Sequence, residues 1–147
     1  MKYEKYQLES DRKLLLFEFV SVGPKGRIKK IVQYTETNLK DYYNLGFGDK
    51  NEKTGMINDL VITNNGDSQQ VLATVASTVY AFTDKHTDEW IYASGSNNAR
   101  TRLYRIGITN NLLEIKKDFE VFDLKDDQWH TFRKDIDYKA FLIKRKK

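Results

Sequence analysis

Two apolar segments, residues 14–22 and 28–34, lie on either side of a short turn sequence, GPKG at residues 23–26, and together they predict a β-hairpin. Both segments are rich in β-branched and aromatic residues, which favour strands. Pro24 presets the backbone angle φ for the first corner of the turn, and Gly26 tolerates the left-handed conformation that closes a bulged hairpin loop. The chain is therefore expected to begin as an antiparallel sheet.

The pattern after the hairpin predicts two further strands and then a helix. The strands are expected at residues 42–47 and 57–63,. Asp67 and Gln70 occupy the two positions of a capping box, so the helix should begin near Ser68, with the Asp67 carboxylate accepting hydrogen bonds from N–H groups of the first turn. One apolar stripe on this helix is expected to pack on the sheet. The stripe consists of Val71, Leu72, Val75, Ala76 and Val79.

The second half of the chain alternates between strand and helix patterns. Residues 90–93 (WIYA) carry no charge, which predicts a strand inside the sheet rather than at its edge,. In the helix that follows, Ala99, Leu103 and Ile106 have helical spacing and Gly107 is the expected stop,. The remaining predicted elements are a short helical stretch at residues 112–115 and two strands at residues 119–124 and 138–144.

The order of these elements, strands and then helix, strand, helix, strand and strand, defines the expected fold class. A strand–helix–strand–helix segment favours parallel pairing through a right-handed crossover, whereas the hairpin is antiparallel. We expect a mixed, mostly antiparallel sheet with two main helices, in an α/β (α+β) fold. A chain of 147 residues buries one core rather than two, so residues 1–147 are expected to form a single domain.

Composition excludes several classes of function. The sequence contains no cysteine, so it has no disulfide framework, thiol nucleophile, Fe–S cluster or thiolate zinc site. No apolar segment approaches the length of a signal-peptide core or a membrane span, and the expected location is the cytoplasm. The net charge of +4 resides in a basic tail, residues 144–147, because without it the chain has 21 basic and 21 acidic residues. This tail either attracts polyanions or is a solvated chain end.

An arginine-rich helix start is the main candidate for a binding site. Arg100, Arg102 and Arg105 crowd the start and middle of the second helix, where cations oppose the helix dipole,. A phosphate or other anion on the backbone N–H groups near Ser96 and Asn97 would explain these cations. Such a site would take an anionic ligand or nucleic acid. The alternative is that the arginines pair with carboxylates or lie flat on the surface.

The other titratable residues give little support to catalysis or metal binding. His86 and His130 lie in polar connections without a catalytic motif around them,. Carboxylate pairs such as Asp49 with Glu52 fall in segments with loop composition, and nothing in their spacing requires a metal. We therefore expect no metal site.

Aromatic and basic residues occur together around the second and third strands. The aromatic residues lie close in sequence to three lysines; the set is Tyr34, Tyr42, Tyr43 and Phe47 with Lys29, Lys30 and Lys40. On one sheet face they would stack the bases of single-stranded nucleic acid. The alternative is a packed sheet face with lysine stems over its rim.

Four stretches, FVSVGPKGRIKKIVQY, YYNLGFGD, NNGDSQQVLATVASTVYAF and GSNNARTRLYRIGI, resemble those of an uncharacterised family of short bacterial proteins, catalogued as a domain of unknown function. The resemblance implies a single intact domain in a bacterial cytoplasm. It implies no activity, substrate or site.

A second resemblance, to the GNAT acyltransferase fold, rests on the order of elements and on the second helix. Asn98, Ala99, Leu103, Tyr104 and Gly107 are similar to the N-x-x-A-x-x-L-Y-x-x-x-G-F pattern of a later helix in that fold. The resemblance implies an acetyl-CoA site with Tyr104 as the general acid.

The sequence also departs from the GNAT pattern. Residues 65–69 (NGDSQ) hold one glycine and one carboxylate where the pyrophosphate loop R/Q-x-x-G-x-G/A is expected, and the two early helices of that fold are missing. Two main hypotheses remain open. One is a non-catalytic binding or interaction protein for an anionic ligand, nucleic acid or a protein partner, and the other is an acyltransferase that uses acetyl-CoA.

Overall fold

One sheet and the helices packed against it form the part of the chain that the structure describes. The computed structural model describes residues 4–58, 62–94, 98–133 and 138–146, with residues 98–100 described by their backbone. The eight strands lie in the order β1-β2-β3-β4-β5-β8-β6-β7. The elements are β1 (Glu9–Ser10), β2 (Leu16–Gly23), β3 (Gly26–Glu36), β4 (Tyr42–Asp49), α1 (Ser68–Lys85), β5 (Trp90–Ala93), α2 (Asn98–Asn110), α3 (Leu112–Asp118), β6 (Phe119–Lys125), β7 (Gln128–Thr131) and β8 (Ala140–Arg145).

The predicted fold class and most predicted elements are confirmed. Strands β2 and β3 form the hairpin, in which Gly23 pairs with Gly26 and Gly26 has a φ of 92°. Strands β4 and β5 are parallel and are joined through α1, while the pairs on either side of them are antiparallel. Strand β5 lies inside the sheet, between β4 and β8. The sheet is therefore mixed and mostly antiparallel, as expected.

The helices and one face of the sheet share one hydrophobic core. The predicted stripe of α1 packs into it, with Val71, Leu72, Val75 and Val79 buried. Helix α2 contributes Tyr104 to the same core. No helix in the described ranges has both the length and the apolar character needed to cross a membrane.

The predicted strand at residues 57–63 is wrong for the described part of that segment, and residues 59–61 lie outside the described residues. Ile57 makes a single isolated bridge to Lys50. The end of this segment is held by a side chain instead of by the backbone hydrogen bonds of a strand. The Asp49 carboxylate accepts hydrogen bonds from the Thr63 backbone N–H (3.1 and 3.2 Å) and from the Thr63 hydroxyl (2.5 Å).

Strand β7 was not predicted and lies in a segment expected to be a connection. Asp126 and Asp127 both adopt left-handed backbone angles, with φ of 53° and 59°. Two consecutive residues of this kind make the tight turn that suits a two-residue hairpin. The usual Asn-Gly or Asp-Gly signal is absent, which is why the sequence pattern did not indicate the hairpin.

Gly107 does not stop α2, which continues to Asn110. The prediction of a stop at Gly107 is therefore wrong. A Cβ atom at Gly107 would lie 3.1 Å from the Cδ2 atom of Leu72 on α1. The missing side chain thus allows the two helices to pack closely.

The basic residues at the chain end are tied to the fold rather than forming a free tail. Lys144 lies in β8 with its Nζ 5.0 Å from the centre of the Trp90 ring. The Arg145 guanidinium donates a hydrogen bond to the Thr83 hydroxyl at 2.9 Å. The Lys146 ammonium donates to a backbone carbonyl of α3. Lys147 lies outside the described residues.

Candidate binding crevice

The end of α2 lies against the start of α1, where the Asn110 side chain donates a hydrogen bond to the Gln69 side chain at 3.3 Å. Strand β5 pairs with β4 only along residues 42–44 of β4, whereas β4 itself continues to Asp49. Each of the two strands is followed in the chain by a helix. Ligands in open α/β sheets bind outside the carboxyl ends of parallel strands, where the chain connections diverge. This end of the molecule is therefore the natural place to search for a site.

The predicted arginine cluster lies on α2, with Arg102 in the first half of the helix and Arg105 in the second half. Arg102 is exposed and Arg105 is half-buried. Their three-residue separation places them on one side of the helix, and α2 has no acidic residue in its first turn. Ser96, Asn97 and the side chain of Arg100 lie outside the described residues.

Tyr138 begins the strand predicted at residues 138–144, but no sequence pattern indicated it as a site residue. It is 7% exposed, and its ring packs edge-on against Phe141, with the ring centres 4.7 Å apart. Its hydroxyl has no hydrogen-bond partner in the part of the chain that the structure describes. A buried polar group without a partner costs about 1–3 kcal/mol, and such a group calls for a specific explanation.

The electrostatic surroundings keep the Tyr138 hydroxyl protonated. Burial raises the pKa of Tyr138 well above its ordinary value, the positive charge of Arg105 lowers this pKa, and the carboxylate of Asp123 raises it. Because the net shift is upward, the hydroxyl is neutral at physiological pH and acts as a hydrogen-bond donor as well as an acceptor.

The charge of Asp123 is itself compensated. This side chain is fully buried and accepts hydrogen bonds from Arg133, namely from the backbone N–H (3.0 Å), from Nε (3.3 Å) and from Nη2 (3.1 Å). Such a forked arginine–carboxylate pair is among the strong ion pairs in proteins. The negative charge near Tyr138 is therefore paired with Arg133.

An apolar cavity of about 70 Å³ lies between α1, α2, α3 and the sheet. Tyr104, which the GNAT resemblance implies as a general acid, is buried (6% exposed) and forms part of the cavity wall. Phe141 is also part of the wall, so one ring borders both the cavity and Tyr138. Other wall residues are Leu72, Val75, Ala76, Val79, Ala93, Gly107 and Ile108.

The start of α1 differs from its prediction. Asp67 is the N-cap residue, but its side chain makes no hydrogen bond to the helix. One oxygen of its carboxylate accepts instead from the hydroxyls of Tyr6 and Ser21, both at 2.5 Å. Asp67 therefore ties the N-terminal segment and β2 to α1, and the predicted capping is wrong because two hydroxyl donors occupy the carboxylate.

The base-stacking hypothesis is wrong for three of its residues. Tyr34, Phe47 and Lys30 are buried, with exposures of 2%, 1% and 1%. The Tyr34 hydroxyl bonds the Thr78 hydroxyl of α1 at 2.8 Å. These side chains belong to the core beneath the helix and have no free surface for a base.

Two other observations bear on catalysis. His86 is stacked on Phe82, with ring centres 4.5 Å apart, and its Nε2 is 3.0 Å from the Lys13 carbonyl oxygen. These contacts give it a packing role. Within the described ranges, no three acidic or histidine side chains gather as ligands for a metal ion.

The fold of the described residues is that of a single-sheet α+β protein, and its candidate site residues are Arg105 and Tyr138. The family model for a family of unknown function (DUF6934) matches residues 2–146, and the chain belongs to that family. Searches of curated proteins and of solved structures found no match. The resemblance to an uncharacterised family is thus confirmed.

Removing the Tyr138 hydroxyl is expected to stabilise the ligand-free protein. Tyr138→Phe deletes a buried group that lacks a partner, so the free energy of unfolding should rise by about 1 kcal/mol. The matched control is Tyr34→Phe, which deletes a buried hydroxyl that is bonded to Thr78 and should lower the free energy of unfolding by about 1 kcal/mol. Urea denaturation measures both changes. A loss of stability in Tyr138→Phe would mean that this hydroxyl already has a partner.

Proposed function

We propose that this protein is a non-catalytic binding protein that holds a small anionic ligand at Arg105 of α2 and Tyr138. The observation that carries the proposal is the buried Tyr138 hydroxyl, which lacks a partner among the described residues and lies under the influence of the Arg105 charge. An oxygen atom of the ligand would accept hydrogen bonds from both side chains.

The chemistry of these groups favours an oxyanion. Arginine is always charged and only donates hydrogen bonds, and a protonated phenol supplies a further donor. A carboxylate or phosphate group accepts hydrogen bonds from both of these donors, whereas a cation accepts from neither.

The burial of Tyr138 favours a small ligand over a polymer, because a polymer backbone reaches a buried hydroxyl only with difficulty. In a second version of the proposal, the anionic ligand is nucleic acid. In that form the exposed Arg102 would contact further phosphates, and the affinity would fall steeply with salt concentration. Ser96, Asn97 and Arg100 remain predicted members of the site.

Arg105→Gln is expected to weaken binding of inorganic phosphate at least tenfold, because a charge-assisted hydrogen bond contributes about 1.5–3 kcal/mol. Phosphate is titrated into the purified protein by NMR, which detects millimolar affinities. Lys53→Gln, which removes an exposed loop cation, controls for the change in net charge and should leave the affinity unchanged.

The same titration with single-stranded DNA and RNA separates the two forms of the proposal. Arg102→Gln should weaken binding of the polymer and leave binding of phosphate unchanged. Equal phosphate affinity in Arg105→Gln and the unmodified protein would overturn the proposed site.

A second candidate, acetyl-CoA-dependent acyl transfer, is supported by the topology. The order of the elements from β4 onward and the parallel pairing of β4 with β5 support a GNAT-like fold. Tyr104 in the cavity wall would have the place of a general acid. The Asp67 carboxylate beside the start of α1 disfavours a pyrophosphate there, because like charges repel. Absence of acetyl-CoA binding at millimolar concentration in the same NMR assay would exclude this candidate.

A further inference from the structure

We infer that the face of the sheet opposite the helices is a self-association surface, on which a second copy of this chain docks to form a reversible dimer. This inference goes beyond the proposed anion site and does not depend on it, because Tyr138 belongs to the core on the helix side of the sheet. The surface, hereafter the aromatic face, consists of Tyr42, Trp90, Tyr92, Phe122, Trp129 and Leu142.

The alternation of side chains along the strands separates the aromatic face from the core. Ile91 and Ala93 of β5 lie in the core with the helices, so Trp90 and Tyr92 lie on the opposite face of the sheet. Leu142 of β8 is the cross-strand partner of Tyr92 and therefore shares its face,. All three helices that the structure describes contribute residues to the core, so none of these helices covers the aromatic face.

The rings of the aromatic face contact one another across five adjacent strands, β4, β5, β8, β6 and β7. The Tyr42 and Trp90 rings stack with their centres 6.0 Å apart, and the centre of the Phe122 ring is 5.9 Å from that of Trp90. Tyr92 meets Trp129 edge-on, with centres 6.2 Å apart. Trp129 is 43% exposed and the other members are half-buried. A contiguous, partly exposed apolar patch of this kind marks an interaction surface.

The charges beside these rings favour a second copy over a polyanion. Lys144 is the cross-strand partner of Trp90 on one side and of Glu120 on the other, so one positive and one negative side chain lie together at the edge of the patch. A nucleic-acid surface combines aromatic rings with a groove of positive charge. In a two-fold dimer the same patch occurs on both partners, so each copy offers an anion and a cation to the cation and anion of the other.

The size and composition of the aromatic face fit a reversible dimer. Five strands of about six residues, about 4.8 Å apart and rising about 3.3 Å per residue, cover about 480 Å². Two copies together bury about 1,000 Å², which is the lower limit for a specific interface. Tryptophan, tyrosine and phenylalanine are enriched in the centres of such interfaces, and two sheets readily pack face to face with their strands nearly aligned.

The test combines sedimentation with tryptophan fluorescence, because both tryptophans of the chain, Trp90 and Trp129, lie on the aromatic face. The unmodified protein should change from monomer to dimer between about 1 µM and about 1 mM, since an interface of this size gives a weak complex. Over the same range the tryptophan emission should shift to shorter wavelength, because docking removes water from the Trp129 ring.

Three variants locate the contact. Trp129→Glu should weaken the dimer at least tenfold, because it removes an aromatic anchor and places an unpaired charge in the interface. Trp129→Phe keeps an aromatic ring and should remain dimeric at the highest concentration. Leu113→Glu introduces the same charge at a residue of α3 that is 85% exposed, on the helix side of the sheet, and should leave the dissociation constant unchanged.

Each outcome supports or overturns the inference. A monomeric mass at every concentration would overturn it, as would a dimer of unchanged strength in Trp129→Glu. If single-stranded RNA quenches the tryptophan emission of a monomeric protein, the aromatic face binds nucleic acid and not a second copy. Arg105→Gln should dimerise like the unmodified protein, so loss of the proposed anion site and loss of the dimer are observed separately. The concentration series needs only the unmodified protein and decides the matter even if Trp129→Glu does not fold.

Discussion

Asp49→Ala is expected to lower the free energy of unfolding by about 3–5 kcal/mol, because it leaves a buried charge without its partner. Asp49 is 8% exposed, and the ammonium group that its carboxylate pairs with belongs to Lys30, which is 1% exposed. Among the described residues, that ammonium has one further acceptor, the Thr63 carbonyl oxygen at 2.8 Å. Urea denaturation followed by circular dichroism measures the loss, provided that the dependence on urea concentration is unchanged.

Two further variants show whether burial causes this loss. The double variant Lys30→Met/Asp49→Leu removes both charges, and apolar replacement of a buried ion pair is often neutral or stabilising, so most of the lost stability should return. Glu18→Ala breaks a partly solvated ion pair with Lys50 (2.6 Å) and should cost far less, because solvent screens that pair. If Asp49→Ala proves no more harmful than Glu18→Ala, the Lys30 ammonium reaches water.

Local signals in the sequence determine the elements that were predicted correctly. The hairpin turn needs a residue that tolerates a positive φ, and Gly26 supplies it. The apolar stripe of α1 repeats with helical spacing, so its buried face follows from the sequence alone. These signals operate over a few residues and do not depend on the rest of the fold.

Contacts between distant residues explain the errors. Gly107 has the composition of a helix stop, but its role is set by Leu72, which lies on another helix. Asp67 has the composition of a helix cap, but the hydroxyls of Tyr6 and Ser21 take its carboxylate. In each case the local rule is valid, and a tertiary contact overrides it.

The candidate site was predictable in part. The excess of positive charge at the start of α2 pointed to Arg105, because cations there oppose the helix dipole. Tyr138 gave no such signal, since it is one of nine tyrosines and only the fold shows that its hydroxyl is buried without a partner. The cavity likewise results from the packing of helices against each other and the sheet, and the periodic pattern of apolar residues in the sequence does not predict it.

Phe82→Ala is expected to lower the free energy of unfolding by about 3–5 kcal/mol, since it removes a fully buried ring and leaves a cavity. The Phe82 side chain is 0% exposed. Its ring stacks on Tyr34 with centres 4.3 Å apart and meets the edge of Tyr43 at 5.1 Å. Leu113→Ala is the control, because Leu113 is 85% exposed and an exposed side chain contributes within about 0.5 kcal/mol.

This variant also separates stability from binding. The Phe82 ring packs against Tyr34, Tyr43 and His86, whereas the anion is proposed to bind at Arg105 and Tyr138. The folded fraction of Phe82→Ala should therefore bind the anion with unchanged affinity, whereas Tyr138→Phe should gain stability and lose affinity. A gain in stability together with a loss of affinity is expected when the deleted group binds the ligand but destabilises the ligand-free protein. NMR titration with inorganic phosphate, at a temperature where both variants are folded, measures the two affinities. A parallel loss of affinity in Phe82→Ala would mean that binding depends on the whole core rather than on Arg105 and Tyr138.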